Sequence, residues 1–201
     1  MAQETKTAAK PMSEYEVIGL SKQISKFIEL NFDIKIRNFK VRCFDGLHLS
    51  GADALAIPDE HIIYIDSAFI LEEAERASKK LHGDVNTLSA YKAIMIKVLA
   101  HEIMHMVPTY RKDEIMANYT GTIIAFCLTE DDMVRLSVLK ITGMANLGND
   151  SNLAMYVLGG QKAYNTIVEM NGDPEEIMIA ARHELFPIKP RGDRSDEENG
   201  T

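Results

Sequence analysis

The chain has 201 residues, 46% hydrophobic and 26% charged, the proportions of one soluble domain able to bury a core without disulfides or stapling metals. A formal charge of −8 argues against a nucleic-acid footprint, and no nucleic-acid partner is expected. The N-terminus has no apolar signal core, and the distant Cys43 and Cys127 form no CxxC pair, so a protein kept in a reducing cytoplasm is expected.

Residues 1–12 are polar and alanine-rich, and the sequence predicts disorder there. Ser13-Glu14-Tyr15-Glu16 has the form of a capping box, and Val17, Leu20, Ile24, Phe27 and Ile28 make one helical stripe, predicting a helix over 14–30. IKIRNFKVRCF (34–44) alternates apolar and charged residues with a slip at Asn38, the pattern of one or two half-buried strands with a bulge. Residues 45–60 read as loop or weak strand, and HIIYID (61–66) as a short strand. Asp66 or Ser67 can cap a helix over 68–81 that stops at His82-Gly83. Asn86 or Thr87 opens a long helix over 88–107, halted by Pro108.

Everything beyond reads as helical. Segment 113–128 comes first; its apolar stretch 115–128 is too short to span a bilayer and is broken by Asn118, Thr120, Gly121 and Thr122, so no membrane partner is expected. Segments 131–145, with Thr129 as N-cap, 152–170, and 174–186, opened by Asp173-Pro174, follow. Met133, Leu136, Leu139, Met155 and Leu158 are the expected buried positions of this half, and Gly159-Gly160 is expected to let two helices approach closely. The tail 189–201 is charged and predicted disordered, which leaves 13–188 as one domain.

The chemistry is concentrated in LAHEIMHMVPTYRKDEIMAN (99–118). On a helix, residues four apart are offset by about 40° around the axis and roughly 6 Å along it, so His101 and His105 project side by side and can grip one cation. Glu102 sits about 100° from His101, beside such a metal and free to handle a water. A catalytic zinc needs a third protein ligand and an open position. Eight residues separate His105 from Glu114, enough for a reversal that points this carboxylate back at the imidazoles. Asn118, one turn further on, can orient a ligating histidine through its other ring nitrogen. Against this stands the plainer reading of two ordinary histidines at a helix end.

IIYIDSAF (62–69), HEIMH (101–105) and EIMANYTG (114–121) together resemble a family of neutral zinc metallopeptidases within the gluzincins. The resemblance implies a zincin fold, His101, His105 and Glu114 as Zn²⁺ ligands, and Glu102 as general base. Asn118 stands where that family has aspartate, and the spacing to Glu114 is shorter. The membrane-anchoring N-terminus often carried by the family is missing, which suits a soluble cytosolic or phage-derived version. LTEDDMVRL (128–136) and YNTIVEMNGD (164–173) resemble its helical C-terminal half more faintly.

Tyr110, Tyr119 and His183 are the candidates for steadying an oxyanion, with a surface or core role as the alternative for each. His61 reads as a strand-end polar residue and Lys97 as a solvated one. The expectation is therefore an α+β, zincin-like domain: a small N-terminal sheet, the HExxH helix beneath it, and a mainly helical C-terminal half. Its expected function is zinc-dependent hydrolysis of a peptide or protein substrate. The alternative is a non-catalytic zincin-fold interaction or virion structural protein with a structural or vestigial metal site. The oligomeric state stays open.

Overall fold

In the computed structural model, which describes residues 9–50, 52–143 and 151–186, the expected capping box closes. The Ser13 side chain accepts from the Glu16 N–H, and the Glu16 carboxylate accepts from the Ser13 N–H at 2.8 Å, starting α1 (Glu14–Phe32). Val17, Ile24, Ile28 and Phe32 bury its inner stripe. Of the alternating segment that follows, Lys40–Cys43 alone pairs as a strand, β1. The slip at Asn38 ends the alternation, and the stretch before it is fastened to α1, with Glu29 accepting the Ile36 N–H at 3.2 Å. The 45–60 stretch holds a 3-10 turn (Leu47–Ser50) and the strand β2 (Ala54–Ile57). β2 forms an antiparallel hairpin with β3 (Ile62–Ile65), and β1 pairs with β3 in parallel. The sheet order β1-β3-β2 leaves both β1 and β2 as edges.

α2 (Ser67–Lys80) follows, and then α3 (Thr87–His105), capped by Asn86 accepting from Ser89 N. Ala90, Tyr91, Met95, Leu99, Ala100, Ile103 and Met104 are all buried, so α3 is apolar nearly all round, as a central helix must be. It packs against the sheet, α1, α2, α4 (Glu114–Cys127) and α5 (Asp132–Gly143). α6 (Ser151–Glu169) lies against α4, and α7 (Pro174–Leu185) starts with Asp173 as N-cap and Pro174 in the first turn. The fold is α+β and mostly helical, and one buried cluster runs from Val17 to Leu185.

Several expectations are corrected. α5 is opened by Asp131, whose Oδ1 accepts from Met133 N at 2.9 Å, whereas Thr129 only accepts from Asp131 N. Met133 and Leu158 are exposed, and Leu136, Leu139 and Met155 are half-buried. Val134 and Val138 of α5 and Val157, Ala163 and Ile167 of α6 form the buried faces. Met12, within the stretch expected to be disordered, is tied down: its N–H donates to Tyr91 Oη at 2.7 Å and its carbonyl accepts from Ser67 Oγ at 2.9 Å. The ends 1–8 and 187–201, and residues 144–145 of the expected helix, lie outside the described residues.

Asp66 joins the sheet to α2. It is 1% exposed and caps α2 by accepting from Phe69 N at 3.0 Å, and its other oxygen accepts from Gly46 N and meets His48 Nδ1, both at 2.8 Å. Burial alone would raise this carboxyl, but hydrogen bonds from the His48 ring and three backbone amides outweigh it and hold the pKa below its ordinary value. A depressed folded pKa contributes stability that is present above the unfolded value, about 3.9, and is lost as pH falls through the folded one. Urea unfolding from pH 7 downwards should show wild-type stability falling below about pH 4. Asp66→Asn should be less stable by about 1–3 kcal/mol at pH 7 and flatter across the acid window. Parallel acid profiles for the two proteins would remove Asp66 from this role.

Candidate metal centre

The last turn of α3 presents HExxH at a helix end, and Pro108–Tyr110 forms a single 3-10 turn that reverses the chain. Asp113 accepts from Met116 N at 2.9 Å to cap α4, which puts Glu114 in the first helical position facing back toward α3. Gly121 lets the two helices meet: a Cβ there would lie 2.7 Å from Lys97 O and 3.2 Å from His101 N.

Three ligand atoms converge as a result. His101 Nε2 and His105 Nε2 are 3.0 Å apart, and Glu114 Oε2 lies 3.3 and 3.5 Å from them. A tetrahedral zinc with bonds of about 2.0–2.1 Å holds its ligand atoms roughly 3.3 Å apart, so this triangle fits one small cation. Glu114 Oε2 is buried without a hydrogen-bond partner, the state of an atom that a cation would satisfy. Burial lowers the His101 pKa, which favours the neutral, ligating ring. The His101 ring beside this oxygen holds the Glu114 pKa below its usual value, which favours the carboxylate.

Glu102 is 6% exposed and is held from the sheet side, where Ala56 N–H of β2 donates to its Oε2 at 2.6 Å. Its Oε1 is left facing the imidazoles, 3.9 Å from His101 Nε2. Burial pushes its pKa up to about 8, with the Ala56 hydrogen bond opposing. The cleft above these groups, about 350 Å³, is bounded by edge strand β2 and by Arg111 and Lys112 of the reversal. Arg111 pairs with Asp59 in the β2–β3 turn at 2.6 Å, linking the chain reversal to the turn beside β2.

Sequence reasoning missed Tyr156. Its ring stacks on His101 with centroids 4.8 Å apart, and its hydroxyl lies 2.9 Å from His101 Nε2. Burial raises its pKa, with Glu102 and Glu114 adding to the shift, so the phenol keeps its proton. An aromatic at helical spacing reads as core from sequence. The usable signal was its place one turn before Gly159-Gly160, on the α6 face that meets α4.

That glycine pair does allow a close approach, since a Cβ at Gly159 would collide with the Ile115 carbonyl and lie 3.1 Å from Asn118 Cβ. Asn118 therefore differs from its expected role. Its amide nitrogen donates to the Tyr156 carbonyl, its Oδ1 has no partner, and neither histidine Nδ1 has one. Asn118 fixes the backbone of the residue that reaches His101. An aspartate would set a carboxylate against that carbonyl. Asn118→Asp should thus lower thermal stability and weaken the metal site, by about 1–3 kcal/mol in unfolding free energy. A variant as stable as wild type, with tighter metal binding, would restore the histidine-orienting role.

The three oxyanion candidates are not brought to the cleft. Tyr110 Oη donates to Leu185 O at 2.8 Å, Tyr119 Oη lies 3.4 Å from Thr166 Oγ1, and His183 is exposed on α7. His61 sits in the β2–β3 turn with φ 54° and does not line the cleft. Lys97 is only partly exposed; burial holds its amine below the ordinary lysine value, with Asp53 opposing. In comparisons with protein-family models, curated proteins and solved structures, nothing matches this chain.

Proposed function

We propose that the chain is a zinc-dependent peptidase of zincin type, resembling the gluzincins, with His101, His105 and Glu114 as ligands. The observation that carries this reading is the pairing of a fitting ligand triangle with a buried carboxylate that is not a ligand. Glu102 is held by Ala56 N–H on one oxygen and turns the other toward the triangle. A purely structural His₂Glu site has no use for such a group.

Zinc held by His101, His105 and Glu114 would supply a Lewis acid and bring the pKa of a water down towards about 7. In its ionised form, which a cation held in the triangle would favour against burial, Glu102 Oε1 would accept the proton of the attacking water and return it to the leaving amine nitrogen. The protonated Tyr156 hydroxyl donates to the developing oxyanion, the role for which the sequence offers Tyr110, Tyr119 and His183 only as candidates. β2, an edge strand lining the cleft, offers backbone groups to an extended substrate, which favours a peptide over a compact small molecule. A cytoplasmic location belongs to the same reading; no described helix is long and apolar enough to cross a membrane.

The non-catalytic alternative draws on the Tyr156 hydroxyl, which closes one side of the triangle and could complete a structural site. Metal removal separates the two. Incubation with a broad peptide library should show cleavage that a chelator abolishes and about one equivalent of zinc restores. Cleavage that persists after chelation, or metal-loaded protein that cleaves nothing in the library, would turn the assignment toward the non-catalytic site.

A further inference from the structure

A groove of about 680 Å³ lies between α1 and β1, sharing no lining residue with the metal cleft. Its floor is apolar, from Ile18, Ile36, Phe39 and Val41. Its rim is cationic: Lys22 and Lys26, one turn apart on α1, accompany Arg37, Lys40 and Arg42, against the single carboxylate of Glu29. Arg42 is already paired with Glu14 at 2.8 Å, and Glu29 is engaged by the Ile36 N–H. Among the described residues, Lys22, Lys26, Arg37 and Lys40 make no ion pair. On a chain of net charge −8, this groove is a local inversion of sign.

The strand beside it is unpaired on its outer side except at Cys43. β1 is an edge, and Lys40 N and Phe44 N both point to β3, bonding His61 O at 2.8 Å and Ile65 O at 2.9 Å. Alternation therefore turns the Val41 and Cys43 amides the other way. A carboxylate already docks on this edge, since Glu14 accepts from Cys43 N at 3.0 Å while pairing with Arg42. We propose that the groove binds an extended protein segment in which acidic and apolar residues alternate, added along β1. Its main chain would bond the Val41 amide, its acidic positions would meet Lys22, Lys26 and Lys40, and its apolar positions would cover Ile18 and Phe39. The unpaired cations make the edge selective, because they repel basic strands and attract acidic ones. A nucleic-acid strand fits less well: Phe39 is half-buried, the more exposed Phe44 lies outside the groove, and no stacking platform lines it.

The test uses the full chain and a fluorescent peptide of about seven residues alternating Glu and Val, read by polarisation at low salt. Saturable binding is expected, weakened at least about tenfold in Lys22→Glu/Lys26→Glu and by raised salt. Methylating alternate backbone nitrogens of the probe should abolish it, while His105→Ala should leave it unchanged, since the groove does not depend on the metal site. Both lysines are exposed, and the milder Lys22→Gln/Lys26→Gln should show the same direction with an unchanged circular dichroism spectrum. Absence of binding, equal binding by the charge-reversed variant, or tighter binding of an oligothymidine would overturn the proposal. So would a gain of about tenfold on deleting 187–201, which would assign the groove to the chain's own acidic tail.

Discussion

Glu102→Gln should keep its metal and its fold while losing about 10²–10⁴-fold in hydrolysis, the usual contribution of general-base catalysis. The amide oxygen can still accept from Ala56 N–H, so the link between β2 and α3 survives the change. With no cation beside it, burial favours the neutral carboxyl here, its pKa pushed up to about 8, so a neutral amide of nearly the same shape adds no strain. What disappears is the acceptor for a water proton beside the ligand triangle. The measurement is kcat on any peptide the wild type cleaves, taken with metal content and a melting curve on the same preparation. If the variant instead loses metal or melts much earlier, Glu102 supports the structure, and the non-catalytic reading moves ahead.

The residues behind this prediction differ in how plainly the chain announces them. His101, Glu102 and His105 are legible because a helix fixes where four-apart side chains point, whatever surrounds it. Glu114 is legible because Pro108 forces a stop and Asp113 caps the next helix, two local signals that together fix a tight reversal. The capping box at Ser13 is local in the same sense. Tyr156 is not local. It reaches His101 because glycines at 121 and 159 let α3, α4 and α6 pack closely, and those approaches lie far apart in sequence. The strand β2 was only faintly marked, since four residues gain their identity from pairing with β3 and from holding Glu102. The buried face of α5 was misread for a related reason. Its large residues, Met133 and Leu136, face outward or sideways, while Val134, Ser137 and Val138 fill the narrow space against its neighbours. Size suggested a core that helix spacing did not permit.

His105→Ala should abolish metal binding, taking the content from about one zinc per chain to nearly none. His105 is 8% exposed at the open end of α3, so its removal leaves a gap beside the cleft, not a cavity in the central core. The apolar packing of Leu99, Ile103 and Met104 is untouched, and the metal-free variant should fold. Because a metal that binds only the folded state stabilises it by mass action, zinc at a hundred times its dissociation constant should raise wild-type stability by about 2.7 kcal/mol. The variant's melting temperature should not respond at the same concentration. The response in wild type should also fade in acid, once pH falls through the His101 pKa, which burial holds below the ordinary histidine value, and the proton competes with the metal. Scanning fluorimetry with and without zinc, at two pH values, reads all of this without any substrate. An equal zinc-induced shift in His105→Ala and wild type would place the metal elsewhere on the chain. The triangle formed by His101, His105 and Glu114 would then be a hydrogen-bonded cluster at a helix end, and the case for hydrolysis would fall with it.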